Sequence, residues 1–184
     1  MPMQRLIALC LIAVSIFTAG CTTVVTKGGP TALLRIERLL LPPFVNATTD
    51  EHAGRALTEM TGSALVEAGL PLFQTEETLL RSAADKAQGP DGRYAELART
   101  AGATHLLIGT VHEYRYKTDL DGDPAVGLTI RLVDAATGQT LWQGSSANVG
   151  YAFASVSSAA QKAVRALVRD MPVAGNRLRR SDSK

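Results

Sequence analysis

Cysteine is nearly absent from this sequence of 184 residues: there are two, Cys10 and Cys21, and both lie close to the N-terminus. A disulfide framework within a folded domain is thereby excluded, so such a domain must be held by its own core. No apolar run reaches the length of about 20 residues that a membrane-spanning helix needs. A large excess of either charge is also missing, since 19 basic and 17 acidic residues leave a formal net charge of +2. That balance argues against a nucleic-acid partner, which calls for a decidedly basic domain. No internal repeat is visible. No glycine-rich phosphate loop follows a strand, and none of Ser145, Ser146, Ser155, Ser157 and Ser158 has the G-x-S-x-G context of a nucleophile elbow.

What is present begins at Arg5, which precedes an apolar run from Leu6 to Phe17 and then Thr18, Ala19, Gly20 and Cys21. A basic residue, a short apolar stretch and small residues form the plan of a secretory signal. Small residues leading directly into cysteine point to the lipoprotein pathway. Residues 1–20 are therefore expected to be removed and Cys21 to be lipidated. The plainer alternative is an ordinary signal cut after an A-x-A-like site, with Cys21 a free thiol. Several acyl chains on one cysteine, at roughly 0.8 kcal/mol per buried methylene, make an anchor effectively permanent where a single chain is marginal. Thr22 rather than aspartate follows the cysteine, and by the bacterial sorting rule this directs the chain to the outer membrane, facing the periplasm. Residues 21–31, small and polar with glycine and proline, read as a tether. Ten extended residues span at most about 36 Å, which keeps the domain close to its membrane.

The sequence predicts one domain over residues 32–172. Arg35–Leu41 reads as a short strand stopped by Pro42 and Pro43, and Asn46–Asp50 as a turn. Ala56, Leu57, Met60, Ala64, Leu65 and Ala68 recur at helical spacing up to Gly69. Leu70–Gln74 reads as a strand, Thr75–Ala87 as a helix and Arg93–Ala101 as another. Leu106, Ile108, Thr110, His112, Tyr114 and Tyr116 alternate with Glu113, Arg115 and Lys117 as the two faces of a strand. Val126–Leu132 is the next strand, and Thr137-Gly138 turns the chain into a third over Thr140–Ala147. Val156, Ala160, Ala163, Val164, Leu167 and Met171 mark an amphipathic helix, and residues 173–184 read as a basic disordered tail. The fold class is α+β: a mixed, largely antiparallel sheet with helices packed on one face.

No catalytic residue is assigned. His112-Glu113 invites a zinc-protease reading, but position 116 is Tyr where the second His is needed, and the segment reads as strand. Asp119, Asp121 and Asp123 imitate the opening of a calcium loop, yet Pro124 and Ile130 stand where that loop requires Gly and Glu. His52, His105 and His112 are too scattered for a metal site, and no cofactor is expected beyond the lipid on Cys21. Three carboxylates within five residues make either a solvated turn or an acidic surface aimed at a cation, whose field would grow if copies surrounded a pore. Tyr151 and Phe153, with the single tryptophan Trp142, are the candidates for contact with a lipid interface, where amphipathic rings settle.

The stretch Glu113-Tyr-Arg-Tyr-Lys-Thr-Asp-Leu-Asp-Gly-Asp-Pro-Ala-Val-Gly-Leu128, followed by Thr140-Leu-Trp-Gln-Gly144, resembles the PelC family of lipoproteins from Pel exopolysaccharide export. The likeness runs from Leu39-Leu-Leu-Pro-Pro-Phe44 to the final helix. The L-L-P-F-x-N start and the L-W-x-G strand end are shared more widely, with relatives of a curli secretion lipoprotein and of penicillin-binding-protein activators. The resemblance implies a non-enzymatic homo-oligomer, a dodecameric ring beneath the outer membrane aligned with the PelB porin and scaffold. It also implies that an acidic funnel, with Asp119, Asp121 and Asp123 in the matching loop, guides a cationic amino-sugar polysaccharide during export and biofilm matrix formation. Family members present an aromatic, commonly Trp, after the last strand, where this chain has Tyr151 and Phe153. Two other classes stand beside this reading: a lipoprotein regulator of a peptidoglycan synthase, and a periplasmic hydrolase.

Overall fold

In the computed structural model, residues 22–29, 32–73, 89–117, 122–150 and 154–180 are described. Seven strands among them form a single sheet: β1 (Thr22–Gly28), β2 (Leu39–Leu40), β3 (Val45–Asn46), β4 (Leu72–Phe73), β5 (His105–Tyr116), β6 (Pro124–Asp134) and β7 (Thr140–Val149). The helices are α1 (Ala53–Glu67), α2 (Gly89–Ala101), α3 (Val156–Asp170) and the short α4 (Arg177–Arg180). The sheet order is β1-β7-β6-β5-β2-β4, with β3 also on β5. Neighbours from β1 to β5 run antiparallel, while β2, β3 and β4 pair in parallel. The α+β class and the mixed, largely antiparallel sheet are thus as expected.

β-branched and aliphatic residues alternating along β6 explain its place at the centre of the sheet. Val126, Leu128, Ile130 and Leu132 face the main core with Leu107 and Val111 of β5, beneath α1 and α3. α3 supplies Val156, Ala160, Ala163, Val164 and Leu167 to this layer, and α1 supplies Leu57, Ala64 and Leu65. The Ser155 hydroxyl caps α3 by accepting the Ser158 N–H at 3.0 Å. Gly69, at φ +73°, takes the left-handed turn that ends α1. One helix lies outside this layer. Leu97, Ala98 and Ala101 of α2 pack with Leu40, Leu106, Ile108 and Val133 as a smaller cluster on the opposite side of the sheet.

Two stretches expected to be loose are ordered. Thr22–Gly28, read as tether, pairs with β7 along its whole length, from Thr22 opposite Val149 to Gly28 opposite Gln143. Its run of threonine and valine carries strand propensity, which outweighs the glycine and proline at its end. The supposed disordered tail is fastened at Val173, Asn176 and Leu178 as well. Val173 bridges to Leu34, and Ala174 N–H donates to Leu34 O at 2.8 Å. Buried Asn176 donates through Nδ2 to Val168 O at 2.7 Å, satisfying a carbonyl near the end of α3. The expected helix Thr75–Ala87 and residues 181–184 lie outside the described residues.

Candidate functional surface

The loop expected to carry the acidic group joins β5 to β6, and its stem follows from the antiparallel register. Tyr116 stands opposite Pro124, and beyond them Lys117 N–H donates to Asp123 O at 2.8 Å. Gly122, at φ +58°, supplies the left-handed residue ahead of the stem. Asp123 is half-buried at the mouth of this hairpin, while Asp119 and Asp121 lie outside the described residues.

Register also fixes what else shares this end of the sheet. Thr22 is opposite Val149, Val149 opposite Ala125, and Ala125 opposite Arg115, so four strands present these residues in one row. The residue after Cys21 therefore sits at the same end of the sheet as the β5–β6 hairpin stem. Cys21, Tyr151 and Phe153 lie outside the described residues.

Trp142 does not fit the role of lipid contact. It is 3% exposed and belongs to the main core. A Cβ on Gly144 would come within 2.7 Å of Trp142 Cη2 and 2.8 Å of Leu167 Cδ2, so the ring lies across that glycine beneath α3. The physical reason is strand parity, because Trp142 shares its side of β7 with the buried residues Gly144, Ser146 and Asn148.

The faces of β5 also differ from simple alternation. A β-bulge between Val111 and Glu113 shifts the register at His112. Before the bulge, Leu106 and Ile108 face the smaller cluster; after it, Tyr114 packs against the main core. Tyr116 is carried to the same side, where its hydroxyl accepts the N–H of Val156, the first residue of α3, at 3.4 Å. A strict alternation puts both tyrosines with Leu106, and nothing in the sequence marks the extra residue.

The opposite side of the sheet carries a polar row. His112 Nε2 lies 3.0 Å from Thr129 Oγ1, and Thr129 Oγ1 lies 2.8 Å from Ser145 Oγ, crossing β5, β6 and β7. Arg115 and Glu113 pair at 2.9 Å. The three histidines occupy separate places: His52 ahead of α1, His105 at the start of β5 and His112 on the bulge. Burial pushes the His105 pKa below its ordinary value, partly opposed by the Asp134 and Glu37 carboxylates. Hydrogen bonds from the Thr137 N–H and hydroxyl, both at 2.8 Å, hold the Asp134 carboxyl below the usual range and brace the β6–β7 turn.

No protein-family model matches the chain, and no curated protein sequence matches it. Solved structures do. The PelC dodecamer from Paraburkholderia phytofirmans aligns at a TM-score of 0.67 and 23% identity, over 83% of this chain and 99% of that one. A point variant of that dodecamer aligns at 0.65 and 25% identity, over 81% and 97%. Lipoprotein GNA1162 from Neisseria meningitidis aligns at 0.56 and 27% identity, over 71% and 94%. The chain thus has the fold of these proteins.

Proposed function

We propose that this chain is a non-enzymatic outer-membrane lipoprotein, anchored through Cys21, that closes into a ring and guides a cationic exopolysaccharide toward an outer-membrane porin during export. The observation that carries this reading is the fold shared with a dodecamer over nearly that protein's whole length. Twelve copies, a PelB-type porin and scaffold and an amino-sugar polymer are part of the proposal, as they are of the family that the sequence resembles.

The physical logic is position and field. A monomer of formal net charge +2, or about +1 once Arg5 leaves with the leader, has no strong overall attraction for a cation. A ring changes this, because each copy brings Asp119, Asp121 and Asp123 to one opening, and carboxylates lining a low-dielectric channel focus their field on whatever enters it. The lipid holds that opening against the bilayer, and the row Thr22, Val149, Ala125 and Arg115 supports a short distance between anchor and hairpin.

Replacing Asp119, Asp121 and Asp123 together by Asn keeps side-chain size and removes the charge. The reading expects secreted polymer to fall while folding and oligomer size stay unchanged. Wild-type polymer release from the triple variant would overturn the electrostatic role.

A further inference from the structure

A cleft of about 570 Å³ opens between the loop that follows β3, the end of β5 and the start of α3. Its size falls within the roughly 300–1,000 Å³ usual for small-molecule sites. We infer that it binds one hexosamine unit of a glycan chain, with the Tyr116 ring as the platform and Asp50 as the partner of the amino group. Of the hairpin's carboxylates, the described Asp123 does not line this cleft, and ring formation is not required for it.

The wall chemistry selects the ligand. Tyr116 is 53% exposed, yet its hydroxyl is tied to the start of α3, so a broad aromatic face is held open to solvent in one orientation. Fixing a ring before binding reduces the ordering cost of stacking on it. The apolar face of a pyranose suits such a platform, and an ammonium group is drawn to the electron-rich face of the ring. Ser155, Ser157 and Thr49 add hydroxyls around the rim, the donor and acceptor supply that sugar alcohols need.

Charge narrows the class further. Asp50 lines the cleft, and its Oδ1 accepts the His52 N–H at 2.8 Å, which orients the carboxylate. The loop behind it is braced by Asn46, whose Nδ2 donates to Asp50 O at 2.7 Å and whose Oδ1 accepts from the Thr48 hydroxyl at 2.8 Å. The cation bordering the cleft, Arg115, is paired with Glu113. At the start of α3 the Val156 and Ser158 N–H groups donate to Tyr116 and Ser155, so these two are already engaged within the protein. The cleft therefore favours an amino sugar over a phosphorylated or carboxylated one.

The test is a titration of the purified full-length chain in detergent with a glucosamine tetrasaccharide and its fully N-acetylated counterpart, read by calorimetry. The wild type is expected to bind the free-amine oligomer more tightly. Tyr116→Ala should weaken both by roughly three- to tenfold, while Tyr116→Phe, which keeps the ring but loses its tie to Val156, should weaken binding less than Tyr116→Ala does. Asp50→Asn retains the acceptor for His52 and should erase most of the preference for the free amine, roughly tenfold. An unaltered thermal melt for each variant separates lost binding from lost fold. The inference is overturned if the wild type binds neither oligomer, or if both Tyr116→Ala and Asp50→Asn bind as wild type does. It is also overturned if only the Asp119, Asp121 and Asp123 triple Asn variant loses binding. Failure of polymer release in cells bears on the guiding role and leaves this result untouched.

Discussion

At the scale of single residues, Gly144 and Trp142 show how much one absent methyl group decides. The indole lies across the glycine and beneath Leu167, so strand and helix approach closely there. Gly144→Ala would bring a Cβ within 2.7 Å of the ring, and overpacking of this kind costs about 1–3 kcal/mol. The smaller loss of unfolded-state entropy on replacing glycine offsets part of that. A denaturant titration of the variant should show a lower midpoint with an unchanged slope. Trp142 also marks a limit of reading by residue type. As an amphipathic ring it qualifies for a lipid interface, whereas the alternation of β7 turns it inward with Gly144, Ser146 and Asn148. Tyr116 is the converse case. Its exposure depends on a bulge four residues earlier, which leaves no trace in composition or periodicity.

Among elements, the hairpins β5–β6 and β6–β7 were legible because each strand alternates and each turn has its own chemistry. Asp134 and Thr137 brace the second turn, and Gly138 takes φ +72° there. Helices α1 and α3 were legible from their apolar spacing. β1 was not, because a single edge strand has no partner nearby in sequence, and the glycine and proline after it suggested a linker. The end of the chain is hidden for a related reason: its arginines suggest a solvated tail, while Val173, Asn176 and Leu178 fasten it. Asn176 is the key to that contact, since its Oδ1 also accepts the Leu178 N–H at 3.1 Å. Asn176→Ala leaves Val168 O with only the longer 3.3 Å bond from the Met171 N–H and frees the Leu178 N–H, and should destabilise the fold by about 1–3 kcal/mol. Faster hydrogen exchange at the Leu178 amide should accompany the loss, which separates release of α4 from a general loosening.

For the whole molecule, the sheet register brings the segment after the proposed anchor and the acidic hairpin stem to one end, and α1 and α3 cover one face of β5, β6 and β7. With β1 paired from Thr22 onward, the lipid proposed on Cys21 would leave little slack to the folded body. No cysteine falls within the described residues, so their rigidity comes from the packed aliphatic layers. Ring closure, unlike the fold, is invisible in one chain, because it depends on the angle between neighbouring copies. The lipidated chain from Cys21 onward, excised with its surrounding bilayer into polymer-bounded discs and weighed intact, tests the account most directly. The account predicts a single closed species of about twelve copies, by analogy with the dodecamer that shares this fold; one copy per disc at native abundance would contradict it.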